Sequence, residues 1–199
     1  NSLDWDLQAF LYEGTTSTLS MGGGFNFTHG APGASYYEID RYSSGDIFLD
    51  ITGDAKYGES ATGLRNGYDI VIDVDWDGLT YDVYSIYNDN GLENVLGYNA
   101  PGSNPWRYNP LNGNGTQIDD ASGEFKVLNN MFGYKYYATG FDLAFLGMDQ
   151  EFIAHFTMGC GNDNLMGSTA PVPEPATMLL LGTGLIGLAG VTRRKIIKK

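Results

Sequence analysis

The sequence has a single cysteine, Cys160, in 199 residues. One cysteine excludes a disulfide bond within the chain and a zinc site built from cysteine pairs. Basic residues are also scarce, since 11 lysines and arginines accompany 24 aspartates and glutamates and give a formal net charge of −13. Long runs of alanine, leucine, glutamate and lysine are missing, whereas 28 glycines and 14 tyrosines are present. This composition favours strands and turns over helices.

The few basic residues are unevenly distributed along the chain. Five of the 11 follow Thr192, so the chain up to that residue holds 6 basic and 24 acidic side chains, a formal charge of −18. An acidic surface repels phosphate backbones, and we therefore expect no nucleic-acid partner. Two interpretations stay open, because the acidic surface could attract metal cations or basic partners, or it could simply keep the protein soluble.

The sequence opens at Asn1 with neither a methionine nor an apolar leader. A secretory signal peptide would show a basic start followed by an apolar stretch. We therefore expect that the chain begins at a mature or truncated end.

Residues 1–167 are expected to form one extracellular domain, since 42% of the residues are hydrophobic and can fill one core. No segment before Ala176 shows the 3.6-residue periodicity of an amphipathic helix. Many short strands separated by turn residues predict an all-β fold, an antiparallel β-sandwich of jelly-roll-like type. The strands are predicted at 5–13, 35–42, 46–52, 68–76, 79–87, 124–129, 133–139 and 151–158, and 141–147 fits either a strand or one helical turn.

One hairpin can be predicted in detail. Asp77-Gly78 lies between two predicted strands and is a favoured sequence for a two-residue type I′ turn. The resulting register places Asp73 directly opposite Asp82, an unfavourable pairing unless water or a cation separates the charges. The candidate metal ligands are Asp73, Asp75, Asp77 and Asp82.

The same stretch matches the opening of a calcium-binding loop, Asp73-x-Asp75-x-Asp77-Gly78. A complete EF-hand loop has an acidic residue at its twelfth position, where this chain has Tyr84. Strand alternation before an Asp-Gly turn produces the same letters. Calcium coordination and a solvated acidic face therefore both stay open, and Ca²⁺ is the one cofactor that the sequence suggests.

The segment 88–123 is rich in glycine, asparagine and proline and predicts a long loop. Long loops often carry function, and aromatic side chains stack on sugar rings. Trp106 and Tyr108 are therefore candidate glycan-binding residues. The alternative interpretation is that Trp106 buries its ring and fixes the loop on the sandwich.

A catalytic cysteine needs a positioned base. His155 and Cys160 are five residues apart and would point to opposite faces of one strand, which leaves His29 as the other histidine. We expect no catalytic set and no enzyme. Cys160 is expected to be a small buried residue at a strand end, with Asn162-Asp163 in the following turn, although a disulfide between two copies stays open.

The C-terminal segment differs in composition from the rest of the chain. Residues 168–175 are small, polar or proline and predict an extended linker, and residues 176–191 hold no charge and predict a short hydrophobic helix. That length is near the lower limit for a membrane span of ~20 residues. Basic residues from Arg193 onward would stay on the cytoplasmic side, so the domain before them would face outward. A helix buried in a soluble domain fits less well, because five cations follow it directly.

This segment resembles the PEP-CTERM sorting signal of Gram-negative bacteria. The resemblance rests on a proline-glutamate motif, an apolar helix and a basic cluster in the required order, and its residues are Val172, Pro173, Glu174, Pro175, Arg193, Arg194 and Lys195. In that family an exosortase, a membrane enzyme, recognises the tail and removes it during export. The resemblance implies transient membrane insertion of 176–199 before processing. It also implies hosts that make exopolysaccharide and biofilm.

A second resemblance concerns residues 157–163, Thr-Met-Gly-Cys-Gly-Asn-Asp. This stretch is similar to the TMxCGND block that closes a group of PEP-CTERM exported β domains without an established catalytic role. The sequence therefore predicts a structural or interaction protein of the cell surface or biofilm matrix, which contacts exopolysaccharide or like subunits. The alternative is an exopolysaccharide-binding module assisted by calcium.

Overall fold

The computed structural model describes residues 3–33, 39–55, 64–96, 101–147 and 149–169. These residues form 15 β-strands joined by turns and short 3-10 helices, and they contain no α-helix. The chain divides into two compact units, Asn1–Thr169 and Ala170–Lys199, and every described strand lies in the first. The predicted all-β, antiparallel character is confirmed. The predicted C-terminal helix at 176–191 lies outside the described residues.

The smaller sheet has four antiparallel strands. Their order across the sheet is β1-β2-β13-β12, so the two N-terminal strands pair with a hairpin from late in the chain. The strands are β1 (Leu7–Glu13), β2 (Thr18–Gly23), β12 (Lys126–Met131) and β13 (Tyr134–Asp142).

The larger sheet has seven strands, six of them in the order β10-β7-β6-β5-β14-β15. The seventh, β11, pairs with the first residues of β7, beside the β6–β7 hairpin loop, whereas β10 pairs with the last residues of β7. These strands are β5 (Ser44–Asp50), β6 (Ile70–Asp75), β7 (Thr80–Ser85), β10 (Thr116–Gln117), β11 (Gly123–Glu124), β14 (Ile153–Met158) and β15 (Asn164–Ser168). Two short ribbons pair β3 (Ala31–Pro32) with β4 (Arg41–Tyr42) and β8 (Leu92–Glu93) with β9 (Arg107–Tyr108).

One hydrophobic core joins the two main sheets. Alternate residues of each strand point into it, as the two-residue period of a strand requires. Trp76 lies near its centre, stacked on Phe27 with ring centroids 5.6 Å apart and in edge contact with Phe125 at 5.2 Å. The strand residues of this core include Leu19, Met21, Ile47, Leu49, Ile72, Val74, Val83, Ala138, Phe141, Ala154, Phe156 and Met158.

The outer face of the larger sheet carries a second hydrophobic cluster. It contains Phe48, Tyr68, Val71, Ile86 and Tyr108, so the long loop contributes Tyr108 to cover the sheet there. As a result all seven residues of β5 are buried. Any polar side chain on the outer face of β5 must therefore find its partners inside the protein.

The β6–β7 hairpin has the predicted register, with Asp73 opposite Asp82 and Val74 opposite Tyr81. The predicted type I′ turn at Asp77-Gly78 is wrong. The last pair is Asp75 with Thr80, and the residue with positive φ is Leu79, at 57°. A four-residue loop forms instead, because the Asp75 carboxylate accepts hydrogen bonds from the backbone N–H groups of the two residues predicted to form the turn.

Two other predicted segments differ from the structure. Within the described part of 35–42, only Arg41–Tyr42 forms a strand. Segment 141–147 combines both predicted alternatives, since β13 ends at Asp142 and a 3-10 turn follows at Ala144–Leu146. Strand β15 reaches Ser168, the first residue of the predicted linker, and the boundary near 167 stays a prediction.

Candidate functional site

The four predicted metal ligands line one open cleft of about 330 Å³ beside the β6–β7 hairpin, which we call the acidic cleft. Strand alternation brings Asp73, Asp75 and Asp82 to the outer face of the sheet, and the hairpin loop adds Asp77. Arg107 of β9 lines the same cleft. The structure thus places a residue of the predicted glycan-binding loop next to the predicted metal ligands.

Two of the four carboxylates have partners within the protein. Asp75 accepts hydrogen bonds from the backbone N–H groups of Asp77 and Gly78, at 3.1 and 2.9 Å. Asp82 accepts a hydrogen bond from the side-chain amide of Gln117, at 3.0 Å. Asp75 therefore shapes the hairpin loop, and Asp82 ties β7 to β10.

Asp73 is the cleft carboxyl group with the clearest change in acidity. Burial raises its pKa to about 6, and the negative charges of Asp82 and Asp75 act in the same direction. The Arg107 guanidinium opposes them and lowers this pKa. Asp73 therefore changes charge near neutral pH, where an ordinary aspartate stays ionised.

Beneath the cleft lies Asp46 of β5, a carboxyl group that sequence reasoning missed. It is 1% exposed, and its two oxygens accept hydrogen bonds from the backbone N–H groups of Val74 and Tyr108, at 3.0 and 2.7 Å. Burial raises the pKa of Asp46 to about 7, with a further increase from the charge of Asp73. Asp46 thus joins the sheet to strand β9 of the long loop.

The acidic cleft offers carboxylate oxygens, the ligand type that calcium prefers. Among the residues that the structure describes, no group of three or more histidine, cysteine, aspartate or glutamate side chains is arranged to hold a metal ion. Calcium binding at Asp73, Asp75, Asp77 and Asp82 stays a prediction.

Tyr108 is a buried residue of the long loop. It is 2% exposed and packs against Tyr84 with ring centroids 5.4 Å apart, and its hydroxyl accepts a hydrogen bond from the backbone N–H of Gly115. The long loop folds back and uses this ring as part of the cluster on the outer face, which favours a structural role. Glycan binding by Tyr108 stays a prediction.

Trp106 is half-buried between the long loop and the larger sheet. Its indole lies against two glycines, since a Cβ atom at Gly45 would come within 2.6 Å of its ring and one at Gly159 within 3.1 Å. The Arg107 guanidinium lies 5.5 Å from its ring centroid, and its Nε1 is buried without a hydrogen-bond partner. These contacts agree with the interpretation that Trp106 fixes the loop in place. Glycan binding by Trp106 stays a prediction.

The residues considered for catalysis have structural partners. His155 is buried against Tyr68, with ring centroids 5.4 Å apart, and its Nε2 lies 3.1 Å from the carbonyl oxygen of Pro105. Burial lowers the pKa of His155 to about 4. Burial also raises the pKa of the Cys160 thiol, which opposes formation of the nucleophilic thiolate. Asp163 accepts a hydrogen bond from the backbone N–H of Leu7, at 2.8 Å, and so ties the end of the domain to its first strand.

The predicted sorting residues Val172, Pro173, Glu174, Pro175, Arg193, Arg194 and Lys195 lie outside the described residues. Residues 171–195 match the family model of the PEP-CTERM protein-sorting motif. All seven sorting residues fall within that match, which confirms this resemblance. The motif indicates export to the cell surface, with processing of the membrane-anchored chain by an exosortase.

The other comparisons and the structure add two findings. No curated protein and no solved structure matches the chain. Within the ranges that the structure describes, no helix is long and apolar enough to cross a membrane. The TMxCGND resemblance of residues 157–163 stays a prediction.

Proposed function

We propose that this chain is a structural or interaction protein of the cell surface or biofilm matrix of a Gram-negative bacterium, without enzymatic activity. The observation that carries the proposal is the sorting motif at 171–195. It follows a strand-rich acidic unit whose cysteine and buried histidine both have pKa values shifted away from catalytic use. The C-terminal tail anchors the chain in the membrane, an exosortase cleaves it there, and the released domain contacts exopolysaccharide or like subunits.

Export can be tested by expressing the full chain in a bacterium that has an exosortase and in the same strain without that enzyme. We expect the domain in the surface or extracellular fraction of the first strain. Without the enzyme, the chain should stay with the membrane fraction. Glu174→Ala should reproduce the second result, because it alters the matched motif, and Glu151→Ala is the matched control within the domain.

Equal surface delivery of the Glu174→Ala chain and the unaltered chain would contradict the proposal. So would a cytoplasmic location of the unaltered chain in the strain that has the exosortase. A folding defect is separated from a sorting defect by comparing the melting temperatures of the purified chains, which should agree.

A second candidate function is carbohydrate binding assisted by calcium. It is supported by aromatic side chains that lie at the surface rather than in the core, namely Phe132 (74% exposed), Tyr87 (57%) and Tyr12 (40%). An exposed aromatic ring offers a rigid apolar face on which a ligand can pack. In this proposal the acidic cleft takes up calcium and the exposed rings contact sugars.

A further inference from the structure

The β12–β13 hairpin carries an unusual residue at its tip. Its loop consists of Phe132 and Gly133, between the paired residues Met131 and Tyr134. Both loop residues have positive φ, 51° and 89°, as a type I′ turn requires. Asparagine, aspartate and glycine are the usual residues at these positions, whereas a bulky side chain with positive φ is strained.

Packing within the described domain does not compensate for the strain at Phe132. A useful comparison is Leu79, another large apolar residue with positive φ, at 57°. Leu79 packs against the main core, whereas Phe132 is 74% exposed and the neighbouring Met131 is 40% exposed. A strained backbone that displays an apolar ring to solvent is a feature of binding sites.

Phe132 belongs to a group of three aromatic rings. Its ring meets that of Tyr137 edge-on, with centroids 5.3 Å apart and planes at 72°. The rings of Tyr137 and Tyr134 are nearly parallel, at 7°, with centroids 6.2 Å apart. Tyr134 lies directly on Gly22 of β2, where a Cβ atom would be 2.4 Å from its ring. The glycine therefore allows the tyrosine ring to lie flat on the sheet.

Beside these rings is an open cleft of about 380 Å³, lined by Gln8, Gly24, Asn130, Gly133, Tyr134 and Lys135. Gln8 and Asn130 supply amide groups, which both donate and accept hydrogen bonds. The charge of Lys135 is balanced by Asp4, whose carboxylate oxygen is 2.7 Å from its Nζ. Of the three rings, Tyr134 lines the cleft, and Phe132 lies next to it through the lining residue Gly133. The cleft therefore combines an aromatic ring and amides without a large excess of either charge.

We propose that the cleft beside Phe132 binds a neutral polysaccharide segment. Sugar rings present C–H faces that pack on aromatic rings and hydroxyl groups that pair with amides. The acidic domain disfavours anionic polysaccharides and phosphate headgroups, so among glycans an uncharged one is the favoured occupant. This inference deepens the second candidate function, moving the sugar contact from Trp106 and Tyr108 to the β12–β13 hairpin.

The test is binding of the purified full chain to neutral polysaccharides, with laminarin, galactomannan and dextran as probes and alginate as the anionic comparison. Affinity electrophoresis and calorimetry give the dissociation constants. We expect binding to at least one neutral polysaccharide and none to alginate. Phe132→Asn should weaken binding by about tenfold or more through loss of the ring contact.

The Asn variant is informative because asparagine is favoured in a type I′ turn, so its melting temperature should equal or exceed that of the unaltered chain. Leu111→Asn is the matched control, since it removes another exposed apolar side chain away from the cleft, and it should leave binding unchanged. Equal affinity of the Phe132→Asn variant would overturn the inference, as would the absence of binding to every neutral polysaccharide. A dimer of the unaltered chain that Phe132→Asn dissociates, without any glycan binding, would also overturn it, in favour of self-association. These results are independent of export, which is measured in cells.

Discussion

Asp46 is a carboxyl group enclosed in the most buried strand of the domain. Its hydrogen bonds to Val74 and Tyr108 favour the charged form, but burial and the charge of Asp73 outweigh them and raise its pKa to about 7. Asp73, with a pKa of about 6, is the residue of the acidic cleft whose charge acts on this buried group. Arg107 is the cation that faces both carboxyl groups. Their charges therefore respond together to pH.

The first prediction concerns stability against pH. Both groups have folded-state pKa values above the ordinary value of 3.8. The stability that these two raised pKa values contribute to the folded state is thus fully present below pH 3.8. It is lost as the pH rises through the folded-state values of about 6 and 7. We expect these two groups to lower the free energy of unfolding by roughly 2–3 kcal/mol between pH 5 and pH 8, measured by urea unfolding. His155 acts in the opposite direction, because its pKa is lowered from 6.5 to about 4 and its contribution to stability grows as the pH rises through that range.

The variant Asp73→Asn removes one of the two charges, so it should flatten this dependence and raise stability at pH 8. Asp119→Asn is the control, because Asp119 is an exposed carboxyl group outside the cleft, and it should leave the profile unchanged. An Asp73→Asn variant whose profile is identical to that of the unaltered chain would contradict the assignment.

The second prediction concerns calcium at the same carboxyl groups. If Ca²⁺ lies between Asp73 and Asp82, it relieves the repulsion between these opposed charges. We expect millimolar calcium to raise the melting temperature and to give a binding heat in calorimetry. Both effects should be lost in Asp73→Asn and kept in Asp119→Asn. Identical melting of the unaltered chain with calcium and with a chelator would rule calcium out.

At the scale of the elements, strand β5 organises both faces of the larger sheet. Its inner face contributes Ile47 and Leu49 to the main core, and its outer face contributes Phe48 to the second cluster. Gly45 at its start contacts the long loop, because the backbone of Trp106 crosses directly over it. The long loop is thus held to β5 by backbone contact as well as by Asp46.

The third prediction follows from this contact. A Cβ atom at Gly45 would lie 2.2 Å from the carbonyl oxygen of Trp106 and 2.7 Å from that of Thr157. Since these are backbone atoms, we expect Gly45→Ala to destabilise the domain by about 2 kcal/mol or more, as overpacking does. Gly14→Ala is the control, because its nearest neighbour would be at an ordinary 3.8 Å. Equal unfolding free energies of the two variants would show that the loop does not rest on Gly45.

Sequence patterns predicted the strands in which apolar and polar side chains alternate strongly. The register of β6 and β7 followed from centring the hairpin on Asp77-Gly78, and it is confirmed although the loop is longer than predicted. Strand β2 was missed, because its sequence Thr-Leu-Ser-Met-Gly-Gly has few residues typical of strands, although Gly22 is what lets Tyr134 pack there. Strand β15 was missed because it follows directly after turn-forming residues.

The candidate site was predicted in part, and the missing part depends on long-range contacts. The acidic residues of the cleft could be read from strand alternation around the hairpin. The burial of Asp46 and Tyr108 could not, because it arises from the long loop folding over β5, far away in sequence. The exposure of Phe132 could not be predicted either, because local sequence does not show whether an aromatic ring beside a strand is buried or faces solvent.

At the scale of the whole molecule, the chain combines an acidic β-sheet domain with a C-terminal sorting motif that ends in basic residues. The formal charge is −18 up to Thr192, and the five cations that follow it lie partly within the matched motif at 171–195. Removal of the tail therefore makes the released protein more acidic. Such a protein stays soluble and resists binding to anionic surfaces.

Intact mass spectrometry of the surface or secreted protein tests the central claim most directly. We predict a mass that lacks everything after the Pro171–Pro175 region when the host has an exosortase. In the strain without that enzyme, the chain should keep its tail and remain in the membrane fraction. A secreted protein that retains residues 176–199 in the exosortase strain would contradict the account.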